Sequence, residues 1–174
     1  MSGEKTSLAE GNITLQKLQA RFPDEIIEVN ERPGDASVVL KKGRIVEISR
    51  FLRDDPDLSY QYFIDICGVD YLGLGRKPRF AVVYHLFSLG KKRRIRLKVP
   101  IEESDLAIDS VVDVWRGAEW FEREAFDMFG IRFNNHPFLQ RILTHHQFVG
   151  HPLRKDYPPE QRHPCTEPWD LDFD

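Results

Sequence analysis

After Gly130 the chain loses the means to build a long helix or an inner strand. Residues 131–174 carry six of the eleven prolines, at positions 137, 152, 158, 159, 164 and 168. Each proline fixes φ and removes a backbone donor, so regular structure is interrupted every few residues. The same segment holds five of the six histidines and six aromatic residues: Phe133, Phe138, Phe148, Tyr157, Trp169 and Phe173. A long segment without regular structure is either functional or disordered, and disordered segments are poor in aromatics. The expectation is an extended arm, residues 131–174, that orders by lying on another surface and is mobile beyond about Tyr157 in the isolated chain. Within it GHPLRKDYP, residues 150–158, is too polar and too broken by proline to be core.

Ahead of the arm, 174 residues leave room for one domain. Residues 1–11 are expected to be disordered and residues 12–130 to form an α+β domain. Ile13, Leu15, Leu18 and Phe22 recur at helical spacing behind Asn12, a suitable N-cap. Two strand-like runs, near 26–30 and 36–41, flank the turn signal Arg32-Pro33-Gly34-Asp35. Residues 43–53 read as a second amphipathic helix. YQYFIDICGVDYL, residues 60–72, is apolar on both alternations, which predicts a central strand buried on two sides at 62–70. Residues 79–88 repeat that character. In 93–99, Arg94, Arg96 and Lys98 alternate with Ile95, Leu97 and Val99, as in a strand with one solvated face. VVDVW, residues 111–115, reads as a further strand. Strands grouped with few helices, without regular βαβ alternation, predict a two-layer mixed sheet.

EWFEREAFDMF, residues 119–129, is the last helical candidate. Phe121, Ala125, Phe126, Met128 and Phe129 share an apolar arc, with Trp120, Arg123, Glu124 and Asp127 opposite. Arg123 and Asp127 stand at i, i+4. Glu122 falls inside the arc, where an unpaired carboxylate is costly, so a partner such as Arg141 or Arg154 is expected. Gly130 suits the C′ position.

Several functions are disfavoured by composition. A net charge of −3 gives no reason to expect nucleic-acid binding. No apolar run reaches the roughly 18 residues of a membrane span, and the N-terminus has no signal-like apolar region. Cys67 and Cys165 belong to no CxxC pair, so neither an iron–sulfur cluster nor a four-thiolate zinc site is expected. Both thiols are expected to be free, with Cys67 a small buried hydrophobe. No glycine-rich phosphate loop follows a strand. His145, His146, His151, His163 and Cys165 are too irregularly spaced for zinc, and His85 reads as a satisfied sheet histidine.

GAEWFEREAFDMFGIRFNNHPFLQRIL, residues 117–143, followed by GHPLRKDYP, resembles the signature of the 30-kDa subunit of respiratory complex I, the C subunit of bacterial NADH:quinone oxidoreductase. Gln140 stands where that signature usually carries a basic residue or proline. The resemblance implies a non-catalytic structural and assembly subunit of the peripheral arm, an enzyme component only through the complex. It implies no cofactor in this chain, with FMN, iron–sulfur clusters and quinone in partner subunits. The implied partners are the 49-kDa-type subunit and the cluster-bearing small subunit, in a hetero-oligomer whose membrane contact, at the cytoplasmic face of a bacterial inner membrane, comes only through the complex. The residues it marks for partner binding or structure are Glu122, Arg123, Glu124, Asp127, His136, Pro137, Arg141, Gly150, His151, Pro152, Leu153, Arg154, Lys155, Asp156 and Tyr157. The alternatives are the equivalent subunit of an F420H2- or plastoquinone-linked dehydrogenase or a membrane-bound hydrogenase, and a stand-alone enzyme using the carboxylate–histidine cluster.

Overall fold

The computed structural model describes residues 12–32, 35–158 and 160. Helix α1, Ile13–Arg21, opens on Asn12, whose side chain accepts from the Thr14 N–H. Strands β1, Ile26–Arg32, and β2, Asp35–Leu40, pair antiparallel as the turn signal predicts; residues 33 and 34 of that turn lie outside the described residues. Helix α2 spans Ile45–Asp54, and β3, Tyr62–Asp70, β4, Phe80–Ser88, and β5, Arg93–Ile101, form an antiparallel meander. The five strands make one sheet in the order β1-β2-β5-β4-β3. Its middle pair, β2 with β5, is parallel, so the sheet is mixed. Two further short strands, β6 at Ala107–Asp109 and β7 at Arg132–Asn134, pair parallel on either side of α3, Ala118–Phe129.

One face of the sheet carries the core. Val38, Leu40, Val82, Tyr84, Leu86, Ile95, Leu97 and Val99 point into it, meeting Leu15, Leu18 and Phe22 near α1 and Ile45, Ile48 and Leu52 of α2. Helix α3 lies over β3 at very close range: a Cβ on Gly68 would come within 2.5 Å of the Phe129 ring. Only glycine lets the helix approach so closely.

Four expectations are corrected. VVDVW is no strand: residues 112–114 form a turn, with Val114 and Trp115 N–H groups both donating to the Val111 carbonyl. The β-branched run is apolar because Val111, Val114 and Trp115 plug the core. Strand β3 is an edge strand, apolar because α3 covers one of its faces. Cys67 is exposed, since at this edge it points to the face opposite α3. The arm, where described, is a chain of turns after β7 and is bound to its own domain through Asp156. The predicted mobility beyond Tyr157 and the aromatic residues Trp169 and Phe173 lie outside the described residues, apart from Pro158 and Glu160.

Candidate partner-docking site

The arm is held by the last turns of α3. Asp127 is fully buried. Its Oδ2 accepts the N–H groups of Ile142, Leu143 and Thr144 at 3.0, 2.8 and 2.8 Å. Its Oδ1 accepts from the Arg141 guanidinium at 2.7 Å and from the Thr144 hydroxyl. Burial alone would raise this carboxyl, but the Thr144 and Arg141 donors hold it well below the usual carboxylate range. Arg141 also donates to the Gly150 carbonyl at 2.9 Å and covers the Phe148 ring. Arg123 aims its fork at two arm carbonyls, Gln140 at 3.1 Å and Arg141 at 3.2 Å. Its guanidinium is sandwiched between Trp120 and Phe138. Because Arg123 reads the Gln140 backbone, the departure at that exposed side chain removes no contact seen here.

Beyond Gly150 the chain turns back to cap α3. His151 Nδ1 donates to the Asp127 carbonyl, the Leu153 N–H to the Met128 carbonyl and Arg154 Nε to the Phe129 carbonyl, at 2.9, 3.1 and 2.7 Å. These are the carbonyls a helix end leaves unsatisfied. Burial pulls the His151 ring below the ordinary histidine value. Gly130 makes this closure feasible. Its φ is +76°, and a Cβ there would sit 2.5 Å from His151 Nε2 and 2.6 Å from Arg154 Nη2. Replacing Gly130 by alanine is expected to cost about 1–3 kcal/mol and to loosen residues 150–156. Thermal unfolding together with limited proteolysis of the arm checks this; an unchanged midpoint refutes it. Gly150, at φ +96°, is overlaid by Tyr157, which stacks on Phe148 at 5.9 Å.

The arm's far end is tied by a pair that sequence reading missed. Buried Asp70 accepts two bonds from Arg79, at 2.9 and 2.8 Å, and the Lys155 N–H at 2.9 Å. Arg79 also holds Asp156 at 2.7 Å and Glu103 at 2.7 Å. The Arg79 guanidinium keeps the Asp70 carboxyl well below its ordinary value. An aspartate closing a largely apolar strand was the available signal.

Three expected pairings do not form. Among the described residues Glu122 meets no arginine: its Oε1 accepts from the Val111 N–H at 2.8 Å and the carboxylate also takes a bond from Ser110, while Oε2 is 4.0 Å from His136 Nε2. Arg123 and Asp127 do not pair, because Asp127 turns into the arm. Arg154 caps a helix and lies over Phe80 instead of binding a carboxylate. Glu124 and Pro137 are exposed, Pro152 is half-buried, and none of the three takes part in the network described above.

Among the described residues, the open face of the sheet carries one cluster with metal-ligand chemistry, Asp65, Cys67 and His85, whose ligand atoms lie within 4.8 Å of one another. The residues do not fit a metal. Arg96 Nε donates to His85 Nε2 at 2.9 Å, which places the ring proton on Nδ1, facing Asp65. No imidazole lone pair is left, and a guanidinium stands beside the site.

Comparison with known proteins decides the family. The respiratory-chain NADH dehydrogenase 30 Kd subunit family matches residues 38–163. The chain belongs to that family. The C subunit of NADH-quinone oxidoreductase from Citrifermentans bemidjiense is 50% identical over 151 residues, 87% of this chain and 91% of the relative. Its counterpart from Roseiflexus castenholzii is 51% identical over 144 residues, 83% of this chain and 82% of that one. Among solved structures, a trypsin-resistant fragment of Nqo5 superposes with a TM-score of 0.62 at 33% identity, over 73% of this chain and all of the fragment. A chain of the archaeal membrane-bound sulfane sulfur reductase shares the fold, with a TM-score of 0.64 at 21% identity. In this member of the 30-kDa family, the signature residues of α3 and the arm thus form one connected network that fastens the arm to the helix.

Proposed function

We propose that this chain is a non-catalytic docking subunit in the peripheral arm of a proton-translocating NADH–quinone oxidoreductase. The observation that carries the reading is how the network is used. The polar signature side chains Arg123, Asp127, Arg141, His151, Arg154 and Asp156 bind the arm to the domain, so they are spent on architecture. What they hold out is apolar: Trp120, Phe138, Leu143, Val149 and Leu153 are 60, 51, 63, 70 and 51% exposed, all on α3 or the arm. Apolar side chains presented on a rigid polar frame suit a protein partner. The partner of this reading is the 49-kDa-type subunit, with the cluster-bearing small subunit adjoining; FMN, iron–sulfur clusters and quinone belong, in this reading, to partner subunits of the complex. No helix among the described residues is long and apolar enough to cross a membrane. Membrane association, at the cytoplasmic face, then comes through the complex.

Changing Leu143 and Val149 together to glutamate is expected to leave the thermal midpoint within about 2 °C of wild type, because exposed positions contribute little to stability. Co-purification of the 49-kDa-type subunit from solubilised membranes is expected to be lost. Normal assembly of that variant, or assembly with lost turnover, would defeat the docking reading.

A further inference from the structure

The network leaves one buried oxygen without a partner. Glu122 is 0% exposed, and its Oε2 has no hydrogen-bond partner among the described residues. His136 Nε2 stands 4.0 Å from it, on a side chain that is itself wholly buried. The bonding of that ring defines its tautomer. Nδ1 accepts the Phe138 N–H at 3.0 Å, so Nε2 carries the proton and donates to the Glu119 carbonyl at 3.2 Å. His136 thus has one N–H and two acceptors within about an ångström of reach, the Glu119 carbonyl and Glu122 Oε2.

We propose that Glu122 and His136 form a proton-operated latch that sets the position of the 136–138 turn. While Glu122 carries its proton, the carboxyl is neutral and His136 stays on the Glu119 carbonyl. When that proton leaves for solvent, a buried carboxylate demands a donor. The Nε2–H moves to Oε2, the Glu119 carbonyl is released, and the ring, still held by the Phe138 N–H, draws the turn with it. One proton is lost to water and none is transferred to the ring. Phe138 is carried along because its backbone is bonded to the moving ring and its side chain lies on Arg123.

The surroundings favour such a device. Beside the Val111 N–H, Ser110 is the other hydrogen-bonding group on the carboxylate, and burial raises the carboxyl to about 7. On β4, Tyr84 has a buried hydroxyl with no hydrogen-bond partner among the described residues, and besides its burial it senses the charges of Glu122 and of Asp109 from β6. Among the described residues, no lysine or arginine contributes to the shift of Glu122.

The functional consequence rests on the docking reading, since Phe138 is one of the apolar side chains held out to the partner. The latch itself is tested without a partner. In the isolated full chain, labelled for NMR and titrated from about pH 5.5 to about pH 8.5 to span a buried carboxyl's range, the Glu122 carboxyl carbon, His136 Nε2 and the Phe138 amide are expected to shift with one common midpoint. Glu122→Gln is expected to abolish the His136 and Phe138 transitions. A Glu122 carboxyl that titrates while His136 and Phe138 stay still overturns the latch, as does an unchanged transition in Glu122→Gln. The wild-type titration alone decides if that variant does not fold. Failure of docking would show elsewhere, as normal partner capture by the Leu143 and Val149 double variant.

Discussion

Replacing Asp127 by alanine is expected to destabilise the fold by about 3–5 kcal/mol, the usual cost of breaking a buried charged pair. The substitution would leave the Ile142, Leu143 and Thr144 N–H groups, the Thr144 hydroxyl and the Arg141 guanidinium facing an apolar methyl. Asp127→Asn is expected to cost less, because an amide oxygen can still accept, but it loses the charge and one acceptor site. Chemical unfolding gives the magnitude, and proteolysis at 142–144 shows where the loss falls. The pH dependence follows in sign. Asp127 binds its proton less readily folded than unfolded, so its stabilisation is present above the ordinary carboxylate value of about 3.9 and is lost as pH falls toward the depressed one. An alanine variant within about 1 kcal/mol of wild type would mean that the arm is not held by this residue.

Glu122 should act in the opposite direction, and over a different range. Its carboxyl moves from 4.5 to about 7 on folding. Between those values the folded chain binds more protons than the unfolded one, so stability falls as pH rises and levels off above about 7. A shift of this size corresponds to about 3 kcal/mol lost across the window, at 1.36 kcal/mol per pH unit. Glu122→Gln is expected to remove that slope, because the amide keeps a carbonyl for the Val111 N–H and cannot ionise. His151, held below its ordinary value by burial, instead costs stability as pH drops through the normal histidine range. The decisive quantity is therefore the difference between wild type and Glu122→Gln in unfolding free energy at about pH 5 and about pH 8. Equal slopes in the two proteins would refute the assignment.

The elements carried by periodicity were legible. Alternation in 93–99 placed Ile95, Leu97 and Val99 inside and Arg94, Arg96 and Lys98 on the other face of β5, and the 26–41 hairpin followed from its turn. Composition misled where an apolar run served a different geometry. VVDVW is apolar because it plugs the core as a turn, and β3 is apolar because a helix covers an edge strand. In α3 the residue types were informative but their partners were not. Glu122 lies in the apolar arc as the helical period requires. Its donors, Ser110 and the Val111 N–H, come from a loop whose path no local pattern reveals. Asp127 was placed on the solvated side because helical spacing knows nothing of an arm folding back over it. The Asp70–Arg79–Asp156 tie joins residues 86 positions apart at its ends, a separation at which sequence pattern carries no pairing information.

The parallel seam between β2 and β5 has a consequence for synthesis. The β1–β2 hairpin and the β3–β4–β5 meander each close between neighbours in sequence, yet Ala36 must wait for Ile95 to complete the sheet. At a translation rate of about 5–20 residues per second, β5 follows β2 by roughly 3–12 seconds. Throughout that interval the inner edge of a finished hairpin, the run Ala36-Ser37-Val38-Val39, is unpaired and rich in β-branched residues. A nascent chain of this kind is most exposed to capture by other strands, and to chaperones that bind them, before its ninety-fifth residue emerges from the ribosome.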